Sequence, residues 1–143
     1  MSFDLKIVRG DIFISRDGSV DIVTGNSKLK QDIIKIMLTE LGTNKYHPSY
    51  GSATGSLQIG SVLDAEMMEL DLSSSAEQAV RRIMSMQKTQ AKRQFLSPSE
   101  VILDIINVSV ERDQVDPRLY NIFISVLTEK LDRITENVTV RIS

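Results

Sequence analysis

The chain has 143 residues, with 17 basic and 19 acidic side chains and a formal charge of −2. That length can bury one core without staples, and so small a charge imbalance excludes a global electrostatic grip on nucleic acid or an anionic membrane. The absence of cysteine excludes a disulfide framework, thiolate zinc sites and cysteine nucleophiles, and suits a reducing cytosol.

Met1-Ser2-Phe3-Asp4 opens the chain without a basic or an apolar targeting segment, and no run reaches the ~18–20 apolar residues of a membrane span. The expectation is a soluble protein without a signal peptide, built as one domain over residues 1–143. From Phe3 to Val23 the pairs Leu5/Ile7, Ile12/Ile14 and Val20/Ile22 alternate with polar residues, the period of half-buried strands. Arg9-Gly10-Asp11 and Arg16-Asp17-Gly18-Ser19 mark the turns of this meander, and a glycine turn accounts for the first without any adhesion role.

Asn26 or Ser27 can cap a helix whose apolar face is Leu29, Ile33, Ile36, Met37 and Leu41, with Gly42 as its stop. Residues 43–60 turn to Asn, Pro, Ser, Thr and Gly, so Pro48-Ser49-Tyr50-Gly51 forms a corner followed by a looser loop, a natural contact surface. After the acidic segment Asp64 to Leu72, Ser74 and Glu77 have capping-box spacing. Ala76, Ala79, Val80, Ile83, Met84 and Gln87 form the stripe of a second helix running to about Arg93.

Pro98 closes that region. Val101 to Glu111 and Leu119 to Thr128 then form two long strands around a polar turn, an antiparallel hairpin. A charged connector, Glu129 to Glu136, leads to a last strand, Val138 to Ile142. The expected fold is α+β: an N-terminal β-meander, two main helices, and a C-terminal antiparallel hairpin plus a final strand. Asn107-Val108-Ser109 and Asn137-Val138-Thr139 match the glycosylation sequon, but both fall inside strand-like runs where the match is common by chance.

Gly25, the helix from Leu29 to Leu38, Thr39, Gly42 and the Pro48-Ser49-Tyr50-Gly51 corner, followed by a second helix and a β-rich end, resemble the sheath-initiator family of contractile-phage baseplates. These are wedge proteins historically labelled lysozyme-like, and the resemblance covers essentially the whole chain. It implies a structural component at the wedge periphery, in six copies following tail symmetry, that templates the first ring of the sheath. It is without cofactor, and its partners are the sheath protein, other wedge proteins and the tail tube or hub periphery.

One departure stands out. Where members often carry a Glu-Pro-Arg docking triplet, this chain has Ser97-Pro98-Ser99, so wedge contact falls to Arg93, Ser97, Pro98, Ser99 and Glu100. The interval between Gly51 and Pro98 is longer than in compact members, which implies an extended second helix. The sheath contact implied is strand addition through Tyr120, Ile122, Ile124 and Val126 with Val138, Val140 and Ile142. Equally, the last strand can simply complete the protein's own sheet, and the two readings are compatible.

Arg81, Arg82, Lys88, Lys92 and Arg93 form a basic stretch without interleaved aromatic residues, so a solvated face is favoured over an acidic partner and both over nucleic acid. His47 is the sole histidine and has no companion ligand for a metal. Tyr50 reads as a core-facing plug under the corner, and Met67, Met68, Met84 and Met86 as core filling. The rival class is a glycosidase, which needs two carboxyls at set separation in a cleft; Glu40 is the nearest candidate and has no evident partner. Within the structural class, the equivalent subunit of a bacterial contractile injection machine remains the alternative.

Overall fold

The computed structural model describes residues 3–9, 11–52 and 65–141. The fold is α+β. It consists of β1 (Asp4–Leu5), β2 (Ile7–Val8), β3 (Asp11–Ile12), β4 (Ile22–Val23), α1 (Gly25–Leu38), α2 (Ala65–Gln90), β5 (Ile102–Arg112), β6 (Leu119–Thr128) and β7 (Arg133–Arg141).

The N-terminal meander pairs β1 with β4 and β2 with β3, both antiparallel, and an isolated bridge joins Ile14 to Val20. Its tip is tied by Asp17, whose carboxylate accepts from the Ser19 amide and from the Ser15 and Ser19 hydroxyls. These bonds hold its pKa down to about 2. The strands are not half-buried as expected. They are two residues long, and Ile14 and Ile22 are more than half exposed, because no second layer among the described residues covers that face of the meander. Gly10 of the first turn lies outside the described residues.

Gln31 fixes this meander to α1. Its buried amide donates to the Leu5 carbonyl at 2.7 Å and to Asp4 Oδ2 at 3.0 Å, and its Oε1 accepts from the Ile7 amide at 2.9 Å. Lys35 adds an ion pair with Asp4 at 2.6 Å. Burial opposes ionisation of both members, yet their mutual attraction wins, with Asp4 below its ordinary pKa and Lys35 above.

Helix α1 starts at Gly25 behind Thr24, which makes no side-chain cap bond, so Asn26 and Ser27 are first-turn residues and not caps. It stops at Leu38, and Thr39, not Gly42, closes it. Leu29, Ile33, Ile36 and Met37 are almost fully buried, whereas Leu41 lies beyond the helix. Helix α2 is longer than capping chemistry predicts, at 26 residues. Met68 and Leu72 prolong the buried stripe of Ala76, Ala79, Val80 and Ile83 upstream through Ser74; apolar burial at ~1.5–3 kcal/mol per large side chain outweighs a cap worth about 1. It ends at Gln90, with residues 91–93 in a turn.

The C-terminal strands form one antiparallel sheet in the order β5-β6-β7. The expected hairpin is present, and part of the expected connector is strand, because β7 begins at Arg133 and not at Val138. On β6, Tyr120, Ile122, Ile124, Val126 and Thr128 are all buried, the period-two face turned to the helices. α2 lies over β5 and α1 over β7. Val108 and Val110 of β5 and Ile134 and Val138 of β7 complete this core.

Candidate functional site

The corner after α1 is a backbone knot. The Thr39 hydroxyl donates to the Lys35 carbonyl at 2.6 Å, the Ser52 amide donates to the Thr39 carbonyl at 2.9 Å, and the Leu41 amide to the Ser52 carbonyl at 3.1 Å. Buried Ser52 also donates its hydroxyl to the Met37 carbonyl at 2.8 Å. Gly51 has φ +124°, and a Cβ there would stand 2.7 Å from the Thr39 carbonyl oxygen, so glycine alone lets the two segments cross.

Arg82 reaches over from α2 to donate to the Gly51 carbonyl at 3.0 Å. One residue of the basic stretch is thus structural. Arg81 pairs with Glu77 one turn away on the exposed surface at 2.7 Å. Tyr50 is half-buried against the core, and burial raises its pKa. Pro48 and His47 are exposed, and among the described residues no cluster of His, Asp or Glu could hold a metal. Gly42 has φ +88° with open space around it. Met68 is buried and Met84 packs against the core, whereas Met86 is 45% exposed.

A second knot lies at Ser97 to Glu100. The Glu100 amide donates to the Ser97 carbonyl at 3.1 Å, and Glu100 Oε2 accepts from the Ser97 hydroxyl at 3.1 Å. Gln87 stitches this turn to β5, donating to the Glu100 carbonyl at 2.7 Å and accepting from the Ile102 amide at 2.9 Å. Glu100 is buried, while Arg93 is exposed beyond the end of α2, and no ion pair among the described residues joins them. Ser97 and Ser99 are half-buried and Pro98 is exposed. A Cβ on Gly25, which has φ +58°, would lie 3.0 Å from Ser99 Oγ, so Gly25 and the serine of the variant triplet adjoin. Sequence reasoning missed Gln31 and took Gln87 only as a member of the α2 stripe; each is a long amide on an otherwise apolar helix stripe, the one signal that marks it.

The third feature is the outer edge of the sheet. The Thr128 amide donates to the Asp132 carbonyl at 3.0 Å, which makes 128/132 a hydrogen-bonded pair. Carried along the register Val126↔Ile134, Ile124↔Glu136, Ile122↔Val138 and Tyr120↔Val140, the alternation turns the even β7 residues toward β6. The amides and carbonyls of Arg133, Thr135, Asn137, Thr139 and Arg141 point the other way. Asn137 illustrates this, since its amide is taken by the Glu136 side chain at 3.3 Å.

No described strand pairs with that edge. The opposite edge differs: β5 carries register irregularities between Ile102 and Asp104 and between Ile105 and Asn107, with Leu103 and Ile106 more than 40% exposed. Bulges of this kind blunt an edge against pairing. Tyr120, Ile122, Ile124, Val126 and Val138 are core side chains, Val140 is half-buried, and Ile142 lies outside the described residues. What this end of the molecule presents outward is therefore the β7 backbone, flanked by the polar face of Thr135, Asn137 and Thr139.

Neither a family model nor a curated protein matches the chain. A solved structure does. The crystal structure of a Geobacter sulfurreducens protein with the provisional name tail lysozyme is similar at a TM-score of 0.60 and 12% identity, covering 80% of this chain and 88% of that one. At that identity the likeness establishes a shared fold. Among the described residues no helix is long and apolar enough to cross a membrane.

Proposed function

We propose that this chain is a non-enzymatic component of a contractile-tail baseplate wedge, and that it templates the first sheath ring by accepting a strand along the outer edge of β7. The observation that carries this reading is the contrast between the two sheet edges: β7 has nine residues without a bulge, and β5 is bulged twice. An incoming strand would gain affinity from main-chain bonds to residues 133, 135, 137, 139 and 141. The fold shared with a protein named for tails supports the setting. In that setting the partners are the sheath protein and neighbouring wedge subunits, with six copies around the tail. The subunit of a bacterial injection machine would use the same edge, and sheath co-assembly with components of either system separates the two.

The glycosidase reading finds less support. Glu40 is exposed. The carboxyl raised by burial is Asp32, which is tied to Lys28 at 2.7 Å, while Asp4 is tied to Lys35. Each acid thus has its own lysine, and the cleft of about 180 Å³ that Asp32 lines holds Lys28 and Lys35 but no second carboxyl. Cell-wall turnover by the purified protein, abolished by Glu40→Gln or Asp32→Asn, would overturn the structural reading.

The edge itself is tested with proline. Thr135→Pro and Thr139→Pro each remove an outward amide and no main-chain bond to β6, a position that edge strands tolerate, although each also gives up one side-chain contact with β6, to Ser125 and Asn121 respectively. The variants should fold and join the wedge yet fail to nucleate sheath, whereas Val138→Pro, facing β6, should disrupt the sheet. Normal sheath assembly on folded Thr135→Pro/Thr139→Pro protein refutes strand addition at β7.

A further inference from the structure

Between the N-terminal meander and α1 lies a groove of about 660 Å³ that shares no residue with β7. Its rim carries Lys6, Arg9, Lys30 and Lys35, a local cationic concentration on a chain whose formal charge is −2. Lys35 is neutralised by Asp4, and Lys6 lies over the Phe13 ring at 4.7 Å from its centroid. Arg9 and Lys30 are exposed and make no ion pair among the described residues. The walls are apolar, with Ile7, Val23, Ile34 and Leu38, and Leu38 is 64% exposed. Exposed apolar surface rimmed by unpaired charge of one sign is the pattern of an interaction site.

We propose that this groove receives an acidic segment bearing bulky apolar side chains, supplied by another protein. Its carboxylates meet Arg9 and Lys30, and its apolar side chains lie on Ile34 and Leu38. Bidentate geometry favours the arginine as the orienting contact. Nucleic acid fits poorly, since the one aromatic wall residue, Tyr50, is half-buried against the core and offers no stacking platform. The groove is a second interface, independent of strand addition at β7.

The test uses the full chain and a fluorescein-labelled alternating Glu-Leu peptide, with Lys-Leu and Glu-Ser peptides of equal length as comparisons. The Glu-Leu peptide should bind in low salt and weaken as ionic strength rises. Arg9→Glu/Lys30→Glu should weaken it about tenfold or more, because two surface pairs become repulsive, and Leu38→Ser should weaken it with no change in the salt dependence. The exposed positions leave folding intact, which circular dichroism checks. The proposal is overturned if the Glu-Leu peptide does not bind, if it binds the double variant equally, or if the Lys-Leu peptide binds as well. Sedimentation showing self-association that the double variant abolishes would give the groove to a second copy and overturn the assignment to a different protein. Because none of these readouts involves sheath, they stand or fall separately from the β7 reading.

Discussion

Replacing Gly51 by alanine should be among the most damaging single-methyl changes available in this protein. The new Cβ would stand 2.7 Å from the Thr39 carbonyl oxygen and 3.0 Å from backbone atoms of Glu40 and Leu41, none of which is a flexible side-chain end. The residue would also hold φ near +124°, strain of about 1–3 kcal/mol. Relieving the contact parts the crossing segments and lengthens the Ser52-to-Thr39 and Leu41-to-Ser52 bonds, each worth about 0.5–1.5 kcal/mol net. The total is roughly 2–6 kcal/mol. With a urea m-value of about 2 kcal/mol/M for a chain of this length, the midpoint should fall by about 1–3 M. Gly18→Ala supplies the comparison: φ is +84° there, but nothing lies within 4 Å, so only strain of about 1–2 kcal/mol applies. Equal losses in the two variants, measured by equilibrium urea denaturation, would refute the claim that backbone crossing is what demands glycine at 51.

Gln31→Ala removes three bonds to the first strand segment, so hydrogen exchange at Lys6 and Ile7 should accelerate by about 10- to 100-fold while the C-terminal sheet keeps its protection. Gln87→Leu leaves the Ile102 amide and Glu100 carbonyl unpaired inside the protein, an expected loss of about 2–4 kcal/mol in chemical denaturation. The Asp4–Lys35 pair implies a defined pH window. The Asp4 pKa is depressed from 3.8, so its contribution is complete above 3.8 and lost as pH falls through the folded value; the Lys35 pKa is raised from 10.5, so its contribution is complete below 10.5 and lost as pH rises through the folded value. Amide exchange at Lys6 and Ile7, followed against pH in wild type and Asp4→Asn, should show the larger acid loss in the former, with the Asp17 turn contributing the same loss to both.

Much of the fold is legible in the amino-acid sequence. The α1 stripe from Leu29 to Met37, the β6 alternation from Tyr120 to Val126 and the β5–β6 hairpin follow from periodicity, because burial of one face leaves a repeat in the chain. Boundaries were less legible. Ser74 and Glu77 have the spacing of a cap and sit mid-helix, since the buried stripe continues to Met68 and packing dominates over a local signal. The connector before Val138 carries charges at Arg133 and Glu136, yet it is strand: Ile134 supplies the buried half of the alternation and the charged residues lie on exposed or half-exposed positions.

The sequence by itself determined the α+β class, the order of the main elements and the apolar stripes of α1 and of the middle of α2, all of which depend on local pattern. Tertiary structure alone decided what each distinctive residue is for. Gly51 is needed because Thr39 passes beneath it, Glu100 is buried because Gln87 and Ser97 close over it, and the even-numbered side chains of β6 are buried because they face the two helices. Whether a strand has a usable edge depends on which neighbour takes its alternate amides. That is a relation between distant segments, and it made β7, with its outward odd-numbered backbone, the candidate docking edge.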